Sequence, residues 1–143
     1  HVGKYQARVA ADVILGRDVR LRPQCEPPPR VVFTEPQVAA VGHTLASARE
    51  AGLEARAADV PTSANAGASF KGRDTPGTCR LVAAGGVVVG ATFTGTDVQE
   101  LLHAATLAVT ARIALDDLWH AVPAFPTRNE VWLRLIEELG TLG

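Results

Sequence analysis

Val122-Pro123-Ala124-Phe125-Pro126-Thr127-Arg128-Asn129-Glu130 runs straight into Val131-Trp132-Leu133-Arg134-Leu135-Ile136-Glu137-Glu138-Leu139. Pro123 and Pro126 stop whatever precedes them, and Pro126 pushes Phe125 toward an extended backbone. A helix then starts at Thr127, where Thr-x-x-Glu reads as a capping box: the hydroxyl serves a free first-turn amide and the Glu130 carboxylate reaches back to the cap's own N–H. Val131, Trp132, Leu135, Ile136 and Leu139 recur at helical spacing, which predicts one apolar face, and Gly140 supplies the stop.

Upstream of this stretch the chain reads as alternating short elements. Lys4 to Leu15 predicts a helix with Val9, Val13 and Ile14 on one face and Gly16 as its end. Arg22 to Arg30 is too dense in proline for helix and carries no pattern to bury, which makes 22–30 a linker. Val31-Val32-Phe33-Thr34 is β-branched and aromatic and reads as a strand. Thr44 caps a short helix, Leu45 to Ala51, that Gly52 closes, and His43 before it reads as a solvated loop residue. Glu54 to Val60 reads as a strand and Pro61 to Gly77 as a polar loop. That loop is no phosphate cradle, because Gly67, Gly72 and Gly77 lack the P-loop register and no strand-to-helix passage surrounds them. Thr78 to Ala84 and Val87 to Thr94 form a hairpin around Gly85-Gly86. A long Ala-rich helix follows from Asp97, with Glu100 as the partner in a second capping box, and then a short one from Leu115 to Trp119. Neighbouring strands followed by clustered helices give an α+β class, a largely antiparallel sheet of about four to five strands packed against helices.

Composition narrows the function. The 143 residues carry 14 Lys and Arg against 15 Asp and Glu, a net charge of −1, so no electrostatic drive toward nucleic acid or an anionic membrane exists. No apolar run approaches a membrane span. Cys25 and Cys79 lack C-x-x-C spacing and read as free thiols of a cytoplasmic protein. His1, His43, His103 and His120 show no paired metal-ligand spacing, so no metal site is expected. With no Met anywhere, a chain opening His1-Val2-Gly3-Lys4 reads as a piece of a longer protein.

Several of these segments carry a family resemblance. Val32-Phe33-Thr34-Glu35-Pro36-Gln37-Val38-Ala39-Ala40-Val41-Gly42 resembles the Phe-Thr-x-Pro-x-x-Ala-x-Val-Gly string that opens the interface domain of the flavin-dependent pyridine nucleotide-disulfide oxidoreductases. That group includes dihydrolipoamide dehydrogenase, glutathione reductase and mercuric reductase. Gly42, Thr44 and Ala48 suit the family's next helix, Gly90 to Gly95 its strand before the long helix, and Asp116-Asp117-Leu118 its turn into the final signature. The signature itself is His-Pro-Thr-x-x-Glu, and here Pro126, Thr127 and Glu130 match while Phe125 stands where the His belongs. In the family that His, oriented by the Glu, is the acid/base group at the partner subunit's redox-active disulfide.

The resemblance implies a division of the chain: residues 1–21 as the last helix of the FAD domain, 22–30 as linker, 31–143 as dimerisation domain. It also implies a homodimer, with FAD and NAD(P)H bound by the full-length enzyme's other domains and no cofactor expected on this chain alone. His1, Val2 and Gly3 fall where the family's last FAD-domain helix points its first-turn amides at the flavin. Glu130 is the remaining residue of the catalytic signature. The apolar face of the last helix and the Ala-rich helix together predict a symmetric interface built from the helix at Asp97 and the segment from Pro123. Two other functions are weighed against this one. The first is a stand-alone dimeric interaction module without catalysis. The second is a small enzyme with a site at Asp116, Asp117, His120 and Glu130. The terminal Gly140-Thr141-Leu142-Gly143 lacks the Cys pair that resemblance to mercuric reductase would require.

Overall fold

Gly85 and Gly86 turn the chain with φ of 58° and 76°, a conformation that only glycine adopts cheaply, and so fold β4 (Thr78–Ala84) onto β5 (Val87–Gly95) as the hairpin at the centre of the sheet. A computed structural model describes residues 1–19, 27–71 and 75–140; Cys25 and most of the expected linker lie outside them. β3 (Ala55–Pro61) pairs with β4, and β2 (Gln37–Gly42) pairs with β5 on the other side. β1 (Arg30–Val32) closes the edge, giving a five-stranded antiparallel sheet in the order β1-β2-β5-β4-β3. Arg30, expected in the linker, is thus already in the first strand.

β2 is the strand that sequence reading did not separate out. It is interior, and Ala39, Ala40, Val41 and Gly42 are all buried, so the polar alternation that betrays a one-faced strand is missing. The hairpin slips register between Val82 and Ala83, where Val82 faces Gly90 and Ala83 faces Val88. Val89 is the bulged residue, and its carbonyl accepts the His43 amide at 3.0 Å. His43 is therefore half-buried, with its ring Nδ1 3.2 Å from Ser47 Oγ, and is not the solvated loop residue expected.

Of the three expected capping residues, Thr44 and Thr127 each open a helical turn with a capping box and Asp97 does not. α1 (Val2–Ile14) buries no residue. α2 (Leu45–Glu50) starts under Thr44, whose hydroxyl accepts the Ser47 amide at 3.1 Å while Ser47 Oγ accepts the Thr44 amide at 3.0 Å. The long helix begins differently from the expectation: Asp97 sits at φ 55° with no side-chain cap, and a 3-10 turn (Val98–Leu101) precedes α3 (Leu102–Ala111). A capping side chain works from extended backbone, which Asp97 does not have. α4 (Leu115–His120) and α5 (Val131–Leu139) complete the chain.

One core holds these parts together. Ala39, Val41, Ala58, Val60, Leu81, Ala91 and Phe93 on the sheet meet Leu102, Ala105 and Val109 of α3 and Val131, Trp132, Leu135 and Leu139 of α5. Trp132 meets Phe93 edge to face, with ring centroids 6.4 Å apart. This corrects the expectation that the apolar face of the last helix waits for a partner. Leu135 is 0% exposed and Trp132 8%, so that face is spent inside the chain.

Candidate functional site: the corner at Phe125 to Glu130

Two loops of different origin meet in front of α5. Thr127 is extended, at φ −141° and ψ 162°, and the short turn Arg128–Glu130 follows it. The Glu130 half of the expected capping box is present: Glu130 Oε2 accepts the Thr127 amide at 3.0 Å. The Thr127 hydroxyl donates to the Ala124 carbonyl at 2.6 Å, which draws the chain between the two prolines into a tight corner. Arg128 donates through Nη1 to the Thr96 carbonyl just beyond β5, tying the corner to the sheet.

The second loop is the stretch 61–77, read from sequence as irregular. Its middle is a 3-10 helix, Ala66–Lys71. Thr62, buried at 4% exposure, donates its hydroxyl to the Thr94 carbonyl at 2.6 Å. Asn65 Oδ1 accepts the Ala68 amide at 2.9 Å and its Nδ2 donates to the Thr62 carbonyl at 3.2 Å. The Gly67 amide then donates to Glu130 Oε2 at 3.2 Å. The loops touch backbone to backbone: a Cβ on Gly67 would overlap the Thr127 carbonyl and the Arg128 nitrogen. Here glycine is required for close approach, with no demand on φ. Sequence reading missed Gly67 because the contact spans 63 residues and leaves no local pattern.

The remaining site residues fall apart from this corner or at its surface. Phe125 is 78% exposed, and the apolar side chains nearby in the two loops, Val122 and Phe70, are 77% and 74% exposed. Leu107, on the outer face of α3, is 53% exposed. Asp116, Asp117, His103 and His120 are exposed on their helices. Among the described residues no group of three or more His, Cys, Asp or Glu is placed to hold a metal ion. No described helix is long and apolar enough to cross a membrane.

Cys79 is a free thiol at 0% exposure. Burial pushes its pKa up, opposed by the Thr62 hydroxyl at 3.5 Å and by the charge of Arg128. A neutral buried thiol is inert, and Cys79 serves as core. His1 stands at the N-cap of α1 without a side-chain cap bond, so the first-turn amides of Val2 and Gly3 have no acceptor inside the helix.

The comparisons with known proteins fit this architecture. The profile of the pyridine nucleotide-disulphide oxidoreductase dimerisation domain matches residues 28–136. Dihydrolipoyl dehydrogenase of Bacillus subtilis is 31% identical over 139 residues, 96% of this chain and 29% of that protein. The enzyme of the same name from Mycobacterium bovis is 36% identical over 132 residues, 91% of this chain and 28% of that protein. Among solved structures, LpdA of Mycobacterium tuberculosis superposes with a TM-score of 0.79 at 26% identity, covering 94% of this chain and 29% of that one. The Escherichia coli flavoprotein disulfide reductase RclA, at a TM-score of 0.78 and 23% identity over 91% of this chain and 30% of its own, shows the shared fold. The chain thus spans under a third of the relatives it matches. With the profile covering residues 28–136 of 143 and the five-stranded sheet agreeing, the chain belongs to the dimerisation domain of the pyridine nucleotide-disulphide oxidoreductase family.

Proposed function

We propose that this chain is the dimerisation part of an NAD(P)H-dependent FAD oxidoreductase, that it closes a homodimer, and that its 123–130 corner covers the partner subunit's flavin site. The observation that carries the reading is the corner itself. Phe125 is 78% exposed on a loop anchored by Glu130, Arg128 and Thr127, an arrangement that holds an apolar ring in solvent at a cost unless something covers it. Leu107 on α3 supplies the second exposed element, while the face of α5 is already occupied. Residues 1–21 are assigned to the FAD domain on the same reading, and the stretch from 22 up to the start of β1 at Arg30 to the linker.

FAD, where the longer protein binds it, supplies hydride and electron transfer. The chain's own residues contribute less. The backbone of His1 at the N-cap and the first-turn amides of Val2 and Gly3 suit an electron-rich ring edge, because a helix N-terminus favours negative charge. Phe125 excludes water and moves no proton, since acid/base work near neutral pH needs a group such as His that titrates there. Absence of an acid/base group typically costs about a hundredfold to ten-thousandfold in rate, roughly 3 to 5 kcal/mol of barrier. The enzyme is accordingly a poor disulfide reductase and a better reductase of quinones or dyes, which take electrons from flavin without that proton.

The test is to purify the longer protein and measure bound FAD, subunit number by light scattering, and turnover with a quinone and with lipoamide. A flavin-containing dimer active on the quinone is expected. A longer protein that dimerises but holds no flavin would favour the second reading, a dimeric interaction module, for which the exposed Phe70, Val122 and Phe125 also speak.

A further inference from the structure

We infer that Glu130 is a positioning residue that clasps the 66–71 turn to the 123–130 corner, so that two loops distant in sequence form one rigid body. One carboxylate oxygen, Oε2, takes the Thr127 amide at 3.0 Å and the Gly67 amide at 3.2 Å. A single acceptor atom therefore serves donors from both loops, and an ionised carboxylate is the side chain best suited to accept two short N–H bonds at once. Capping the turn uses only the first bond. The second has no part in helix initiation, and it is made possible by Gly67, where any side chain would overlap the Thr127 carbonyl.

The rest of each loop is fastened independently, which leaves the clasp as the joint between two firm parts. On one side Thr62 is held to Thr94, and Asn65 closes its own turn through Ala68 and Thr62. On the other side Thr127 is held to Ala124 and Arg128 to Thr96. Phe70 lies three residues past Gly67 and Phe125 two before Thr127, so the clasp fixes how these two exposed rings stand relative to each other. Only this last consequence rests on the proposed function, where the rings face a partner subunit; the clasp stands without it.

The experiment uses amide hydrogen exchange by NMR on the 143-residue chain, read at Gly67 and Thr127, in wild type, Glu130→Gln, Glu130→Ala and Glu130→Asp. The Gln amide oxygen keeps an acceptor at the same reach, so Glu130→Gln retains protection at both amides. Glu130→Ala removes it, with Gly67 exchanging about tenfold faster, and Glu130→Asp, shorter by one methylene, frees Gly67 while the fold persists. Gly67→Ala approaches the joint from the other side and exposes the Thr127 amide. Fast exchange at Gly67 in wild type, or full protection at Gly67 in both Glu130→Ala and Glu130→Asp, would overturn the clasp. Sedimentation of the same samples separates the two readings: a monomer at every concentration with Gly67 protected keeps the clasp and removes the dimer. A dimer with Gly67 unprotected does the reverse.

Discussion

Phe125 is the residue on which the proposed chemistry turns. On that proposal it takes the acid/base position of the family signature, and a phenyl ring, here 78% exposed, exchanges no proton. Steady-state kinetics on the longer enzyme should give kcat/KM for a quinone at least about a hundredfold above that for lipoamide or glutathione disulfide. Efficient disulfide turnover that vanishes in Glu130→Ala would mean that another group does the acid/base work. Cys79 makes a second prediction at this scale. Its thiol is buried and its pKa raised above the ordinary 9.0, so the unfolded chain gives up this proton at a lower pH than the folded one. The contribution is fully present below pH 9 and is lost as pH rises through the folded value, so unfolding free energy should fall with alkaline pH. Urea unfolding of wild type and Cys79→Ala between pH 8 and 10 would show it, with the slope reduced in the variant.

At the scale of elements, α5 and the 61–77 loop carry the stability predictions. Leu135 is 0% exposed between the sheet and its own helix, and Leu135→Ala is expected to cost about 2–5 kcal/mol through lost burial and the cavity left behind. Chemical denaturation reads this directly, and a loss under about 1 kcal/mol would contradict the packing described. Thr62 is the buried rivet of the loop. Thr62→Val keeps the shape but leaves the Thr94 carbonyl without its 2.6 Å donor, at a cost of about 1–3 kcal/mol. Limited proteolysis at the Ala66–Lys71 turn should quicken in the same variant, because Thr62 is one of the anchors that hold the chain leading into it. The element boundaries themselves were legible wherever one residue decided them, as at Thr44, Gly52, Gly85-Gly86 and Gly140. They were not legible at Asp97, where a left-handed backbone disables a residue that otherwise suits a cap.

For the molecule as a whole, the partition of apolar surface decides where a partner docks. The face of α5 is used internally, and of the apolar side chains left exposed, Phe33 and Phe70 among them, the proposed dimer uses Leu107 of α3 with Val122 and Phe125. Light scattering of the 143-residue chain should report a dimer at micromolar concentration, and Leu107→Asp or Phe125→Asp should raise the dissociation constant by about tenfold or more, since burying an unpaired charge is costly. Trp132→Phe, in the core, should lower stability without that effect on association. Equal loss of association in all three variants would mean that the dimer surface lies elsewhere.

Sequence by itself determined the family, the α+β class, the hairpin at Gly85-Gly86 and the apolar stripe of α5. Each of these is written in residues near one another along the chain, as glycine conformation, helical spacing or a short string of residue types. Tertiary structure alone decided what could not be local. It placed β2 in the sheet interior, turned the face of α5 inward onto Phe93 and Leu81, and sent the Glu130 carboxylate to the amide of Gly67. An amphipathic helix announces that it will bury a face but not against which neighbour. A carboxylate announces that it will accept hydrogen bonds but not from where, and only the packed chain brings a donor 63 residues away to within reach.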